Sequence, residues 1–219
     1  MRSYGQYCGV AKALDVIGDR WSLLIVRELL LRDGLRYTDL LEGLPGIARN
    51  LLAERLRRLE HGGVIEREEA APPIATTLFH LTERGRELRP ALHALGYWGG
   101  PLLGEDFGGD AFQSHWLALP LEIALGERLQ GEHPLTIEVR AGGEVVTAEV
   151  ADGEVRSRAG AADEPDAILA GPPRLILGTL AGKIAVDDAR ARGLEVSGTP
   201  AALERLLPQR GAEVAIHGG

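Results

Sequence analysis

The chain has 219 residues, of which 45% are apolar and 26% charged, with a net charge of −8 at pH 7. That is long enough for one large domain or two ordinary ones, and no apolar run reaches the ~18–20 residues that a membrane span needs. The single cysteine, Cys8, excludes an internal disulfide, and the amino terminus MRSYGQYCG lacks the apolar core of a secretion signal, so a cytoplasmic protein with no membrane partner is expected.

Gly99-Gly100-Pro101 and Gly108-Gly109 read as a linker, which divides the chain into domains at 1–103 and 104–219. Residues 1–103 carry 14 Lys and Arg against 13 Asp and Glu; residues 104–219 carry 10 against 19. The first half is therefore close to neutral and the second strongly acidic. Attraction to a polyanion depends on the local field, so the first half can approach nucleic acid while the second should avoid it.

Residues 9–17 (GVAKALDVI) and 20–32 (RWSLLIVRELLLR) read as two helices joined at Gly18-Asp19. In the second, Leu23, Leu24, Val26, Arg27 and Leu30 repeat with helical rather than alternating spacing, which predicts a core helix. A third, short helix is expected around Tyr37–Glu42. Leu44-Pro45-Gly46 breaks it, and a fourth begins near Ile47.

The fourth helix is the most informative segment, IARNLLAERLRRLEHGGVIER at 47–67. On a helical wheel Ile47, Ala48, Leu51, Leu52, Leu56 and Leu59 fall on one side. Asn50, Ala53, Glu54, Arg57 and His61 fall on the other, with Arg49 and Arg58 at the flanks. Arg55 lands among the leucines, which predicts a packed stem with its head reaching solvent. Arginine can donate two bonds to guanine and asparagine can pair with adenine, and a recognition helix meets base edges near its start. Small Ala53 would let the helix sit close to a groove. The alternative is an amphipathic surface helix with no ligand.

Val64–Arg67 and Thr77–Leu81 read as the strands of a hairpin whose tip, 70–75, contains Pro72-Pro73. Thr82 should cap a further helix over 83–98, with Glu83 in its first turn and Pro90 as a kink. Four helices, a hairpin and a closing helix form the plan of a winged helix-turn-helix.

Residues 5–99 resemble the HxlR family of bacterial winged helix-turn-helix regulators. The resemblance is carried by Cys8, ALDVIGDRWSLLIVREL at 13–29, GLRYTDLLEGLPGIARNLLAERLRRLEHGGVIER at 34–67 and LTERGREL at 81–88. It implies a homodimer on a near-palindromic double-stranded operator, joined through the amino-terminal and closing helices. The helix at 47–61 would lie in the major groove and the hairpin near the minor groove. The implied contact residues are Arg36, Thr38, Arg49, Asn50, Ala53, Glu54, Arg57 and Arg67. The tip of the hairpin carries no Lys or Arg beyond Arg67, which argues against minor-groove contact there. Phe79 can supply the aromatic that the family usually has near the end of the second wing strand. Some relatives sense oxidants or electrophiles through a cysteine at the position of Cys8. That requires an exposed thiol of lowered pKa, for which Lys12 is one helical turn away; the alternative is a small packed residue at the dimer seam.

In the second half, 110–130 reads as a helix interrupted at Pro120. The period then changes to two: Leu135–Arg140 and Glu144–Val150 alternate across Gly142-Gly143, a hairpin signal. Further strands are expected at Val155–Arg158, Asp166–Ala170 and Leu194–Ser197. Helices are expected from Pro172-Pro173 through Leu180, over 187–191, and over Pro200–Leu207, the last capped by Thr199. This is α+β: a mostly antiparallel sheet with helices on one face. The meander 135–158, the strand DAILAG with its following helix, and GKIAVDDARARGLEVSGTPAALERLL at 182–207 resemble the sterol-carrier-protein-2-like fold. That fold implies an apolar tunnel for a hydrophobic small molecule. Its candidate lining residues are Trp116, Leu117, Leu121, Leu125, Ile137, Val139, Ile176 and Leu180; the alternative is that they fill a solid core.

No enzyme is expected. The six histidines form no close ligand pair, so no metal site is expected, and no cofactor. GTLAGK at 178–183 is one residue short of a phosphate loop, and Ile184 stands where Ser or Thr is needed. Asp187-Asp188 reads as a solvated helix start. The sequence thus predicts a transcriptional regulator, a repressor, whose second domain binds a hydrophobic effector. The alternatives are a protein that sequesters a hydrophobic compound and a regulator switched at Cys8.

Overall fold

The computed structural model describes residues 3–71, 76–103, 109–126, 129 and 133–207. The chain forms two compact units, Met1–Trp98 and Gly99–Gly219. No helix among the described residues is long and apolar enough to cross a membrane.

The first unit runs α1 (Gly9–Ile17), α2 (Ser22–Leu31), β1 (Leu35–Arg36), α3 (Tyr37–Gly43), α4 (Arg49–His61), β2 (Ile65–Glu69), β3 (Thr77–Leu81), α5 (Glu83–Arg86) and α6 (Arg89–Gly99). The three strands form one antiparallel sheet in the order β1-β3-β2. The two-residue β1 carries no periodic signal and was not expected; it exists because Leu35 and Arg36 pair with Phe79 and Leu78 on β3. Helix α2 is the core helix: Ile25, Val26, Leu29 and Leu31 are all buried. It begins two residues later than the spacing predicts. Trp21 sits at φ 81, a left-handed conformation that a helix cannot include, so it stands just outside as the cap.

Helix α2 also buries a charge. Glu28 is fully shielded from solvent. Its Oε1 accepts from Arg27 Nε at 3.2 Å and Nη2 at 2.8 Å, and its Oε2 accepts from Arg32 Nη2 at 2.7 Å. Two guanidiniums on one carboxylate offset its desolvation. Burial holds the Arg27 guanidinium below its ordinary value, with Glu28 opposing that shift.

Helix α4 starts at Arg49 rather than Ile47. Ile47 and Ala48 lead into it as extended backbone, with Ile47 buried. Its carboxyl end closes in a Schellman motif: Val64 N donates to Leu59 O at 2.9 Å and Gly63 N to Glu60 O at 3.0 Å. Gly63 sits at φ +68, which is why glycine stands there. Thr82 then joins the helix end to the wing. Its hydroxyl donates to Gly63 O at 2.7 Å and accepts from Gly85 N at 3.0 Å. Gly85 has no room for a side chain, since a Cβ would lie 2.1 Å from Val64 O. The closing helix is two helices, not one kinked helix. Pro90 lacks an N–H, and its ring crowds the carbonyl four residues back, so the chain breaks at 87–88, ahead of the proline.

The second unit contains a five-stranded sheet in the order β6-β5-β4-β7-β8: β4 (Leu135–Ala141), β5 (Glu144–Ala151), β6 (Glu154–Ala159), β7 (Ala167–Ala170) and β8 (Glu195–Gly198). Only β4 and β7 run parallel. The helices are α7 (Ala118–Gly126), α8 (Pro173–Leu180), α9 (Val186–Ala191) and α10 (Pro200–Leu206). The expected helix over 110–130 is corrected at both features. A 3-10 turn over Ser114–Leu117 precedes α7, and Pro120 does not interrupt it. Pro120 is the third residue of α7, where the absent N–H has no helical acceptor to miss. Residues 127, 128 and 130 of that expected helix lie outside the described residues. Thr199 caps α10 as expected, accepting from Ala202 N at 3.2 Å.

On β4 and β5, Leu135, Ile137, Val139, Val146, Ala148 and Val150 alternate into the core, in the register Ile137 opposite Ala148 and Val139 opposite Val146. Helix α7 packs on β5 and β6 and meets α8. Replacing Glu28 by alanine would leave two guanidiniums facing an emptied buried site. We expect a loss of ~3–5 kcal/mol in the unfolding transition of the first unit, measured by denaturant titration of the full chain.

Candidate nucleic-acid interface

The outward side of α4 carries Arg49, Asn50 and Arg57, all exposed, with Ala53 and Glu54 half-buried beside them. The opposite side carries Leu52, Leu56 and Leu59, which are at most 3% exposed. Leu51 is half-buried, and Ala48 is exposed because it precedes the helix. Arg36 and Thr38 are exposed at the start of α3. Two contacts set the position of this surface. The Tyr37 hydroxyl donates to Arg49 O at 2.6 Å, tying α3 to the first residue of α4. Arg36 N donates to Asp39 Oδ2 at 2.9 Å, which fixes the entry to α3.

Three arginines on or beside this surface are ion-paired. Arg58 lies 2.5 Å from Asp19 Oδ2 and 2.7 Å from Glu54 Oε1. Arg55 Nη1 lies 3.2 Å from Glu54 Oε1 and 3.5 Å from Asp19 Oδ2, and its Nε donates to Arg20 O at 3.2 Å. The expected snorkelling head of Arg55 is thus corrected: the head is held by the turn between α1 and α2. Glu54, expected at the DNA surface, is a partner of two arginines on its own helix. Arg67 donates through Nε to Glu60 Oε1 at 2.7 Å and through Nη2 to Glu60 Oε2. This bidentate bond holds the Glu60 carboxyl below its ordinary value and raises the Arg67 guanidinium. Sequence reading missed the two pairs with Asp19 because Asp19 lies far from Arg55 and Arg58 in the chain.

The wing is acidic. Glu66, Glu68 and Glu69 are exposed on β2, where Arg67 is already bonded. His80 on β3 sits between Asp33 (Nδ1 to Oδ1, 3.1 Å) and Glu68 (Nε2 to Oε2, 3.4 Å). Residues 72–75 of the expected tip, with Pro72-Pro73, lie outside the described residues.

Away from α4, α1 and α6 carry apolar side chains that their own unit does not cover. Val10 and Leu14 on α1 and Leu95, Tyr97 and Trp98 on α6 are exposed, as are Tyr4 and Tyr7 ahead of α1. Cys8 is a free, exposed thiol at the N-cap of α1. Lys12, one turn on, has its ammonium 3.8 Å from Asp15.

In the second unit, Leu117, Leu121, Leu125, Ile137, Val139, Ile176 and Leu180 are buried, and Trp116 is half-buried. Polar groups are buried with them, Glu138, Thr147 and Thr179 included, and Glu122, 3% exposed, accepts at Oε1 from Ser157 N at 2.6 Å. No group of three or more His, Cys, Asp or Glu that could hold a metal occurs among the described residues.

The Glu60–Arg67 pair makes a pH prediction. A carboxyl lowered below 4.5 adds stability that is complete above that value and is lost as pH falls through the folded value. The difference in unfolding free energy between the parent and Glu60→Gln should therefore be constant near neutrality. It should shrink below pH 4.5, as followed by denaturant titration across pH.

A model of HxlR-like helix-turn-helix proteins matches residues 16–106. The HTH-type transcriptional regulator sll1512 of Synechocystis is 38% identical over 96 residues, 42% of this chain and 70% of that one. YvaP of Bacillus subtilis, also an HTH-type transcriptional regulator, is 33% identical over 87 residues, 40% of this chain and 80% of its own. A solved structure of the reduced form of the transcriptional regulator YodB from B. subtilis is 28% identical, covers 46% of this chain and 99% of that one, and superposes with a TM-score of 0.39. Through its first hundred or so residues, which fold as a winged helix-turn-helix, the chain belongs to the HxlR-like helix-turn-helix family of transcriptional regulators.

Proposed function

We propose that the protein is a repressor that binds operator DNA as a homodimer and answers to a hydrophobic small molecule. The observation that carries the DNA-binding part is the exposure of Arg49, Asn50 and Arg57 on one side of α4 above a buried leucine stripe. Arg49 and Asn50 open the helix and read bases; Arg57, Arg36 and Thr38 approach phosphate, and Ala53 permits close approach. Glu54 and Arg67 act through the ion pairs described above. Dimerisation is supported by the uncovered apolar side chains of α1 and α6, since an isolated unit gains nothing by exposing Val10, Leu14, Tyr97 and Trp98.

Residues 104–219 act as the effector domain. The strand order β6-β5-β4-β7-β8, with β7 parallel to β4, supports the sterol-carrier-protein-2-like reading. The ligand takes the place of part of the packing around Leu121, Leu125, Ile137, Val139, Ile176 and Leu180, entered past Trp116 and Leu117. A coupling of ~1–3 kcal/mol between the two domains suffices for about 5–150-fold release of DNA.

Alanine at Arg49 or Asn50 should weaken binding to a duplex selected by the parent from a random library by ~1–3 kcal/mol and broaden the selected sequence. Fluorescence anisotropy reads both, and unchanged selection by both variants overturns the assignment of α4. For the second domain, a fluorescent fatty acid titrated into the full chain should bind and should lower affinity for the selected duplex. Binding without any effect on DNA affinity supports the sequestering alternative instead. The exposed thiol of Cys8 supports a second route of control, and a loss of DNA binding on oxidation that Cys8→Ser abolishes would identify it.

A further inference from the structure

Six arginines lie on or beside the α4 surface, and the structure sorts them into two classes. Arg36, Arg49 and Arg57 have no carboxylate partner among the described residues. Arg55 and Arg58 share Asp19 and Glu54, and Arg67 is bonded at two points by Glu60. In the second class the charges balance: two arginines against two carboxylates, and one against one.

A guanidinium already matched in this way adds little to a nonspecific attraction. Sequence-independent affinity comes from cations that neutralise phosphates and release counterions. If Arg58 or Arg67 turned toward a phosphate, its carboxylate would be left unpaired beside a polyanion. The gain on one side is then offset by repulsion on the other.

Resting on the DNA-binding reading above, we propose that Asp19, Glu54 and Glu60 are specificity-determining residues. They hold Arg55, Arg58 and Arg67 away from phosphate and leave the reading of bases to Arg49 and Asn50. Asp19 performs this from outside the helix, from the turn between α1 and α2, where Trp21 at φ 81 and the Arg20 guanidinium 5.7 Å over its ring give the backbone a defined course. Glu60 performs it for the wing. Discrimination is thereby raised by suppressing the nonspecific term rather than by adding contacts to the correct site.

The test compares the full-length parent with Glu60→Gln and with the double variant Asp19→Asn, Glu54→Gln. Each is titrated by anisotropy against a duplex selected by the parent and against a mixed-sequence duplex, over a series of salt concentrations. Glu87→Gln is the control for net charge alone, since Glu87 is exposed and has no arginine partner among the described residues. Both carboxylate variants should bind the mixed-sequence duplex more tightly. The slope of log affinity against log salt should steepen by about 0.9 for each arginine that gains a phosphate. The ratio of selected to mixed-sequence affinity should fall about tenfold, while Glu87→Gln keeps the parent's ratio. The proposal is overturned if the variants match Glu87→Gln, or if affinity for both duplexes falls together with no change in slope. Glu60→Gln removes only an exposed pair, so it keeps the test decisive if the double variant does not fold. A parent that selects no sequence from the library refutes the DNA-binding reading itself, a different result from variants that leave its selection intact.

Discussion

The seating of α4 is the constraint on which the first unit's surface depends. A helix can hold side chains toward a partner only if its other side is fixed, and Leu52, Leu56 and Leu59 fix it at ~1.5–3 kcal/mol each on full burial. Burial alone would allow the helix to slide or rotate a little. Its ends remove that freedom: Tyr37 holds the carbonyl of Arg49 at one end, and Gly63 and Thr82 close the other onto the hairpin. The wing and the end of the helix are therefore tied through one side chain, because the same threonine caps α5 and bonds Gly63, just past the end of α4.

Electrostatics then decide what that fixed surface offers. The first half of the chain is close to neutral in sum, and part of that balance is made pair by pair beside α4. Pairs of half-exposed groups such as Arg58 with Asp19 contribute little to folding, since water and salt screen them. Their effect on a charged partner is larger, because a matched pair presents no net field to follow. Glu28 is the opposite case. It is buried, matters to folding, and shows nothing to the outside. What a paired carboxylate contributes to folding is thus set by its exposure.

Much of this architecture was legible in the residue pattern. The leucine spacing of α4, the alternation of β4 and β5, and the caps at Thr82 and Thr199 each rest on neighbours within a few positions, so a local reading finds them. What escaped it was nonlocal. The strand at Leu35–Arg36 exists only through Phe79 and Leu78. The partner of Arg55 and Arg58 is Asp19, in a turn that precedes α2. Proline misled in both directions for one reason, position in the helix. Pro120 lies in a first turn, where it is harmless, whereas Pro90 would have lain deep inside a continuous helix and so divides it in two.

In the second unit, apolar residues alone could not separate a solid core from a lined tunnel, since both hide the same side chains from solvent. The informative residues there are the polar ones. Glu122 spends a buried carboxylate on Ser157 N, a backbone donor of the outermost strand β6. An unpaired N–H under α7 would be costly, and an open strand edge invites pairing with another chain. Helix α7 answers both needs with one side chain. The opposite edge, β8, is protected differently. It is four residues long, with Glu195 and Ser197 exposed and Gly198 at its end. A sheet with one edge capped by a helix and the other only four residues long offers little backbone to a further strand at either margin.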